Sequence, residues 1–318
     1  MFATLQHAGI KKIAVALPTL KVSYDNEVYE GIDEIKKQKL KSIIGFNQRF
    51  VAQQETTLDL CEAACRKLNI DFAAIDALIF ITQTPDNYQP GNSYVLHGRL
   101  DLKKDCLCID INAGCNGYVQ GLFNAEQLLQ QEEINSVLLC AGDTISKIVN
   151  PVDASLAPIF GDGGSATLLT KIKGNQSYYS FHTNGKLFDR IIQKKNENVK
   201  EYLFMDGAAV MQMAIGEVPK SIEALFEKYK ISGATDYYFF HQANNFIVET
   251  LAKNLNVPME KVPLIFSEFG NQSSASIPFA IHQTLKDSKA GQCLLSGFGV
   301  GFAWANAIVD LSGLEVME

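Results

Sequence analysis

The sequence predicts an α/β protein made of two similar halves. Short runs of apolar, largely β-branched residues alternate with stretches in which apolar residues recur at helical spacing, a pattern typical of a sheet covered by helices on both faces. Hydrophobic residues make up 47% of the 318 residues and charged residues 20%, which favours a folded chain over a disordered one. Because the alternation occurs twice, we predict one unit over residues 1–172 and a second over 173–318.

In the first half, strands and helices follow one another in order. The predicted strands are IAVALP near residue 13, ALIFIT near 77, CLCIDI near 106, SVLLCAG near 136 and SATLLT near 165. The predicted helices are TTLDLCEAACRKL and YVQGLFNAEQLLQQEE. Strands that are apolar on both faces need helices on each side of the sheet.

The second half repeats this theme. SIEALFEKYK and NNFIVETLAKNL have helical spacing, and YYFFHQ, CLLSGF and WANAIVDL are typical strands. A polar stretch at 184–200 is predicted to separate the two halves or to lie on the surface of their junction.

Composition restricts the classes of partner. A formal net charge of -7 argues against binding to nucleic acid or to an anionic membrane surface. The best basic patch would be a cluster of Lys36, Lys37, Lys39, Lys41 and Arg49, either a docking site for an acidic partner or a solvated helix face.

The start of the chain resembles neither a signal peptide nor a membrane span, so we expect a cytoplasmic protein. Cysteines stand at positions 61, 65, 106, 108, 115, 140 and 293. An odd number of cysteines without an export signal argues against a disulfide framework, and their spacing does not fit a zinc site. We therefore expect no metal and no cofactor.

Cys115 is the candidate nucleophile among these cysteines. It follows a buried strand, lies in a turn of small residues and comes just before a predicted helix. Backbone N–H groups and the positive end of the helix dipole at such a place favour a thiolate. The alternative interpretation is a packed core cysteine, and further residues are needed to decide between the two.

Two further polar residues occur at the ends of apolar segments. His241 ends the strand YYFFHQ, where its ring and tautomer could be well fixed for polarising or protonating a substrate. Asn271 follows a glycine and precedes small hydroxyl residues. This asparagine could be a turn residue, a helix cap or a donor that points its amide into a site.

Together, these residues carry a resemblance to a known family. The motifs GCNGY, HQAN and GNQSSAS occur in that order, with His241 following Cys115 by 126 residues and Asn271 following His241 by 30. They resemble the Cys-His-Asn constellation of β-ketoacyl-acyl-carrier-protein synthase III, a condensing enzyme of the thiolase superfamily. The resemblance extends from about residue 12 to residue 311 and implies a thiolase-like fold, with two halves packed as a layered αβαβα body.

Related families fit less well. Thiolases require a second catalytic cysteine, the elongating synthases two histidines, and the hydroxymethylglutaryl synthases a glutamate. Chalcone synthases share Cys-His-Asn but differ in the sequence after the histidine.

The resemblance implies a decarboxylative condensation. Cys115 would hold an acyl primer, with the backbone N–H groups of Cys115 and Val300 as the oxyanion hole. His241 and Asn271 would bind the carbonyl of a malonyl thioester and stabilise the enolate that forms when carbon dioxide leaves. Phe298 would supply an apolar wall.

The resemblance also implies partners and further substrate contacts. An acyl thioester of coenzyme A or of a carrier protein would be the primer donor, and malonyl-acyl-carrier-protein the extender. Asn244, Tyr88 and Gln89 would contact substrate, with the Tyr88 region reaching the neighbour's pocket in a homodimer.

Several positions depart from the family pattern. The only tryptophan, Trp304, lies far from the adenine clamp of coenzyme A-dependent members, and Ala154 stands where that clamp has an arginine. Phe246 replaces an arginine associated with carrier docking, and Tyr88-Gln89 occupies the place of a pocket phenylalanine. We therefore expect a specialised homologue with a different primer or carrier.

Two alternatives remain. An acyltransferase on the same fold would pass the acyl group from Cys115 to an alcohol or amine without decarboxylation. A non-catalytic subunit would pair with an active partner, although such subunits are expected to have damaged triads.

Overall fold

The computed structural model describes residues 1–27, 29, 32–194, 201–231 and 235–318, so residues 195–200 of the predicted junction lie outside the described residues. The strands are β1 (Phe2–Ala16), β2 (Leu20–Ser23), β3 (Gln48–Val51), β4 (Ala77–Ile81), β5 (Leu107–Ile111), β6 (Ser136–Asp143), β7 (Gly163–Thr183), β8 (Ile191–Ile192), β9 (Phe204–Met205), β10 (Tyr237–Phe240), β11 (Gln292–Gly299), β12 (Ala303–Asp310) and β13 (Glu315–Met317). The α-helices are α1 (Glu34–Ile44), α2 (Thr57–Lys67), α3 (Asn92–Arg99), α4 (Gly117–Leu128), α5 (Gly207–Tyr229), α6 (Asn245–Asn254), α7 (Phe266–Phe269) and α8 (Ser276–Leu285). Every predicted strand and helix is confirmed.

One nine-stranded sheet runs through both halves of the described chain. Its order is β10-β11-β12-β7-β6-β4-β5, and β1 pairs with both β7 and β13. Strand β7 pairs with β6 over its first part and with β12 over its last part, so it carries the sheet from one half to the other. Residue 172 lies within β7, and the division into 1–172 and 173–318 stays a prediction.

Helices α4 and α8 form the central layer of the molecule. Their apolar side chains belong to one buried cluster together with strand residues from both halves. Helices α2 and α3 cover the outer face of the first half, and α5 and α6 cover that of the second. The layers therefore run α, β, α, β, α, which confirms the predicted thiolase-like architecture.

Two glycines let α4 lie close to the sheet. A Cβ atom at Gly121 would be 2.2 Å from Ile81 Cδ1, and one at Gly117 would be 2.6 Å from Ile81 Cγ2. Larger residues at these positions would push α4 away from β4. The close packing fixes the helix that begins just after Cys115.

The cluster at Lys36–Lys41 is not a free basic patch. Lys37 is buried and donates to the Asp25 carbonyl (2.8 Å), while Lys41 donates to the Asp25 carboxylate (2.7 Å). Arg49 is buried as well and donates to the Phe160 carbonyl (2.9 Å). Three of the five cations of the cluster thus bind neighbouring protein groups, whereas Lys36 and Lys39 are exposed on α1. Docking of an acidic partner to these exposed lysines stays a prediction.

No helix within the described ranges is long and apolar enough to cross a membrane.

Glu126 on α4 provides a test of the central layer. Its side chain is buried, one carboxyl oxygen accepts from Ser177 Oγ (3.0 Å), and burial raises its pKa to about 7. Between about pH 4.5 and 7 the unfolded chain therefore loses this proton while the folded chain keeps it, and stability falls as the pH rises. We expect Glu126 to cost the wild type about 3 kcal/mol in free energy of unfolding between pH 5 and pH 8, and Glu126→Gln to lack this loss.

Urea denaturation at both pH values, at one protein concentration, measures this difference. The exposed Glu132→Gln is the matched control and should keep the wild-type pH dependence. An equal pH dependence in wild type and Glu126→Gln would contradict the prediction.

Candidate active site

The three predicted catalytic side chains lie in the wall of one cavity of about 210 Å³. Cys115 comes from the turn before α4, His241 follows β10, and Asn271 lies between α7 and α8. The fold thus brings together side chains that are far apart in the sequence. The rest of the wall is mainly apolar.

Cys115 lies two residues before the first residue of α4. Its own backbone N–H and that of Val300 are within hydrogen-bonding reach of the sulfur. Their predicted role as an oxyanion hole stays a prediction. Gly299 makes room for this arrangement, because a Cβ atom there would be 3.0 Å from Cys115 Sγ.

The position of Cys115 before a helix, which favours a thiolate, does not by itself make the thiol acidic. Burial, and after it the nearby Asp143 carboxylate, raise the pKa of the Cys115 thiol to about 12. The Ser273 hydroxyl and the two backbone N–H groups act in the opposite direction but do not prevail. Desolvation of the sulfur therefore outweighs the favourable position before the helix.

His241 is buried and firmly held. Its backbone N–H donates to the Ser296 carbonyl (2.8 Å), and Nδ1 lies 2.6 Å from Ser276 Oγ. The Phe298 ring packs against the imidazole edge to face, with ring centroids 5.4 Å apart. Burial lowers the pKa of His241 to about 3, so the imidazole is neutral at physiological pH.

Asn271 is oriented by hydrogen bonds on two sides. Its backbone N–H donates to the Ile159 carbonyl (2.8 Å), and its side-chain Oδ1 accepts from the Ser273 N–H (2.8 Å). Ser273 has a positive φ of 52°, a conformation uncommon for a residue other than glycine. With Oδ1 held in this way, the Nδ2 donor is the part of the amide that remains for a ligand.

Asp143, which the sequence analysis missed, connects the turns around the site. Its buried carboxylate accepts from Thr82 Oγ1 (2.9 Å), the Gln83 N–H (2.8 Å) and Thr84 Oγ1 (3.1 Å). It also accepts from the N–H (3.2 Å) and the hydroxyl (2.7 Å) of Ser274. The only hint in the sequence is an acidic residue at the end of an apolar strand.

Gln83 is a second residue that the sequence analysis missed. It lines the cavity beside Cys115, and its Nε2 donates to Ser273 Oγ (3.0 Å). No motif singles it out, because a glutamine after a strand is an ordinary surface residue in most proteins.

The remaining predicted contacts divide into two groups. Asn244 and Phe298 line the cavity, and Asn244 also caps α6 through a bond from the Ile247 N–H (2.8 Å). Tyr88 and Gln89 are exposed and do not line the cavity within one chain. Their predicted contact with a neighbour's pocket stays a prediction.

Family models and relatives agree with this arrangement. Residues 109–186 match the model described as 3-Oxoacyl-[acyl-carrier-protein (ACP)] synthase III, and residues 231–311 match the C-terminal model of the same name. A Campylobacter jejuni protein provisionally named 3-oxoacyl-[acyl-carrier-protein] synthase 3 is 34% identical, with 96% of this chain and 95% of the relative covered. The Coxiella burnetii β-ketoacyl-[acyl-carrier-protein] synthase III is 33% identical over 84% of this chain and 88% of its own.

A solved structure shows the same fold. The crystal structure of 3-oxoacyl-(acyl-carrier protein) synthase from Burkholderia xenovorans superposes with a TM-score of 0.95 at 34% identity, covering 100% of this chain and 98% of that one. The layered fold, with a cysteine, a histidine and an asparagine around one cavity, is that of a thiolase-fold condensing enzyme. More specifically, the chain belongs to the 3-oxoacyl-[acyl-carrier-protein] synthase III family, transferases that carry out a 3-oxoacyl synthase type of reaction.

The raised pKa of Cys115 predicts its reactivity. Because only the thiolate is nucleophilic, alkylation by iodoacetamide should rise about tenfold per pH unit from pH 7 to 9 without a plateau. Peptide mass spectrometry isolates the Cys115 rate from those of the other thiols, with Cys115→Ala as the blank. A plateau below pH 8 would show that the thiol is much more acidic than the structure indicates.

Proposed function

We propose that this enzyme condenses an acyl primer, held on Cys115, with a malonyl thioester and releases carbon dioxide and a 3-oxoacyl thioester. The proposed extender is malonyl-acyl-carrier-protein, in keeping with the names of the relatives. The observation that carries this proposal is the convergence of a thiol, a neutral imidazole and an oriented carboxamide in one cavity.

In the first half-reaction the sulfur of Cys115 attacks the acyl thioester. A new thioester bond forms, the carrier's sulfur leaves, and the proton from Cys115 ends on that leaving thiolate. The N–H groups of Cys115 and Val300 would stabilise the negative oxygen of the tetrahedral intermediate. Because the thiol is protonated at rest, its proton is lost only during this attack.

In the second half-reaction His241 and Asn271 act as donors. The Gln242 N–H donates to Ser276 Oγ (3.4 Å), which favours Ser276 giving its own hydroxyl proton to Nδ1 of His241. The ring proton is then on Nε2, where it can bind the malonyl thioester carbonyl together with Nδ2 of Asn271. As carbon dioxide leaves, negative charge develops on that oxygen, and these donors stabilise it.

The enolate then attacks the acyl carbon on Cys115, a carbon–carbon bond forms as the carbon–sulfur bond breaks, and the released thiolate takes up a proton from solvent. Phe298, packed against His241, gives the site an apolar side that disfavours the charged malonyl carboxylate relative to neutral carbon dioxide.

The rival acyltransferase function uses the same first half-reaction but needs no enolate stabilisation. The presence of Asn271, held so that Nδ2 is available, favours condensation over that alternative. The presence of all three catalytic side chains argues against a non-catalytic subunit.

We also propose a homodimer joined through β5. This strand ends the described sheet, and its Leu107 is 46% exposed, so its open edge and apolar surface suit pairing with a second copy. Such a dimer would bring the Tyr88 region close to the second subunit.

The two half-reactions predict separable defects. Wild type should form a covalent adduct with an acyl thioester and discharge it, with carbon dioxide release, when malonyl-acyl-carrier-protein is added. Cys115→Ala should form no adduct. His241→Ala and Asn271→Ala should still be acylated but discharge at least about 100-fold more slowly, since each removes one donor to the enolate.

Intact-protein mass spectrometry follows each step. An adduct on wild type that malonyl cannot discharge, but that an alcohol or amine can, would favour the acyltransferase. Absence of an adduct with every donor would rule out the nucleophilic role of Cys115.

The low pKa of His241 predicts the pH dependence of discharge. Because its pKa of about 3 lies far below the assay range, protonation of His241 should cause no loss of discharge rate between pH 8 and pH 5.5. Ser276→Ala removes the hydrogen bond that fixes the tautomer of His241. This variant should slow discharge about tenfold and leave acylation unchanged. Single-turnover discharge of pre-acylated enzyme measures both, and a rate that falls tenfold per unit below pH 6.5 would contradict the assignment of a neutral His241.

A further inference from the structure

The backbone of Asn271 is held by one short segment, residues 159–161, which lies just before β7. The Asn271 N–H donates to the Ile159 carbonyl (2.8 Å), and the Asn271 carbonyl accepts from the Gly161 N–H (3.1 Å). These two bonds form a parallel bridge in which Phe160 stands opposite Asn271. Ile159 and Phe160 also line the catalytic cavity. The position of this segment therefore decides where the Asn271 side chain begins.

A buried ion pair holds the middle of that segment. The Phe160 carbonyl, between the two groups that bind Asn271, accepts from Arg49 Nη1 (2.9 Å). The Arg49 guanidinium also donates to both carboxylate oxygens of Glu27, through Nε (3.3 Å) and through Nη2. Only 11% of the Arg49 side chain and 15% of the Glu27 side chain are exposed. Three donor atoms of one planar group are thus used, and their directions are fixed together.

Arg49 also packs against the residue before Asn271. Gly270 has a φ of 72°, and a Cβ atom there would be 3.3 Å from Arg49 Cβ. A glycine suits this point, because a side chain at positive φ would be strained and would crowd Arg49. A further hydrogen bond joins strand β3 to the same region, since the Asp162 N–H donates to the Phe50 carbonyl (2.8 Å). Arg49 therefore contacts both the segment beside Asn271 and the turn that precedes it.

Cys115 is supported by a different element. A Cβ atom at Gly297 would be 2.6 Å from the Cys115 carbonyl oxygen, and one at Gly299 would be 2.9 Å from Cys115 Cβ. The nucleophile therefore packs against β11, whereas Asn271 is anchored through residues 159–161. In the proposed function only the second half-reaction uses Asn271. A change at Arg49 is accordingly expected to affect discharge of the acyl group and not its loading.

We propose that Arg49 is a positioning residue for Asn271 and that Glu27 is the counter-ion that holds Arg49 in place. The ion pair fixes the Phe160 carbonyl, the flanking groups fix the Asn271 backbone, and the amide Nδ2 is thereby aimed at the malonyl carbonyl. Misplacing a group that acts on the transition state by about 1 Å can cost about 100-fold in rate, even when the cause lies away from the chemistry. This assignment rests on the proposed function, because it requires Asn271 to act in discharge.

The test measures both half-reactions in one variant. Arg49→Met combined with Glu27→Gln removes the donor to the Phe160 carbonyl without leaving the Glu27 carboxylate buried and unpaired. Acyl and malonyl pantetheine thioesters are the substrates, so that carrier docking plays no part. Acylation of Cys115 should stay within about twofold of wild type, and single-turnover discharge of the acyl-enzyme should slow about tenfold or more. Intact-protein mass spectrometry follows both steps.

The same two substitutions in an Asn271→Ala background distinguish positioning from general destabilisation. With no amide left to position, they should slow discharge by less than about twofold beyond the loss caused by Asn271→Ala itself. An ion pair that only stabilises the fold would slow discharge by the same factor in both backgrounds. Arg99→Met is the matched control, because Arg99 Nη1 donates to Asp59 (2.7 Å) and Glu62 (3.1 Å) elsewhere in the first half, and it should leave both steps unchanged.

Arg49→Lys keeps the test independent of folding defects. Lysine keeps the positive charge beside Glu27, but its single nitrogen cannot replace the three donor atoms of a planar guanidinium. Discharge by this variant should be about threefold to tenfold slower, with acylation again within about twofold of wild type. Thermal unfolding followed by circular dichroism checks that each variant is folded.

The outcomes separate this assignment from the proposed function. If a malonyl thioester discharges wild type and the folded Arg49 variants at the same rate, or if the loss is equal with and without Asn271, Arg49 does not position Asn271 while the proposed function still stands. If malonyl discharges no acyl group from wild type, both fail.

Discussion

The geometry of the active site depends on the hydrogen bonds that the Asp143 carboxylate accepts. It is fully buried at the end of β6 and accepts hydrogen bonds from the turn after β4 and from Ser274. These partners come from different halves of the chain, so one carboxylate joins the wall beside Cys115 to the segment that carries Asn271. Burial raises the pKa of this carboxyl group, and hydrogen bonds from Ser274, Gln83 and Thr82 act in the opposite direction.

The same burial sets the protonation states of the reacting groups. It raises the pKa of the Cys115 thiol and lowers that of the His241 imidazole, so both rest in their neutral forms. A neutral imidazole with its proton on Nε2 suits hydrogen-bond donation to a carbonyl. In the proposed reaction, the low dielectric of a buried site would strengthen that donation as charge develops on the substrate oxygen. The cost is a Cys115 thiol that is less acidic than its place before a helix would indicate.

The surroundings of the site differ more from the family pattern than its centre does. The positions of the adenine clamp and of the docking arginine hold other residues, among them Ala154 and the 47% exposed Phe246. Among the lysines of α1, Lys37 and Lys41 bind groups of Asp25, which leaves Lys36 and Lys39 as its exposed cations. These differences agree with an enzyme whose primer or carrier is unusual for the family.

The sequence by itself determined the class of fold and the identities of the three catalytic candidates. Apolar runs such as ALIFIT and CLCIDI predicted buried strands because local periodicity reflects which faces a segment buries. Cys115, His241 and Asn271 could be recognised because each lies in a short motif of its own. Only the tertiary structure decided how these side chains are protonated and what surrounds them. Asp143 and Gln83 escaped notice because their importance depends on burial and on partners distant in sequence, and burial likewise reversed the expected acidity of Cys115. Desolvation and hydrogen bonding depend on the whole surroundings of a group, which no local pattern of residues specifies.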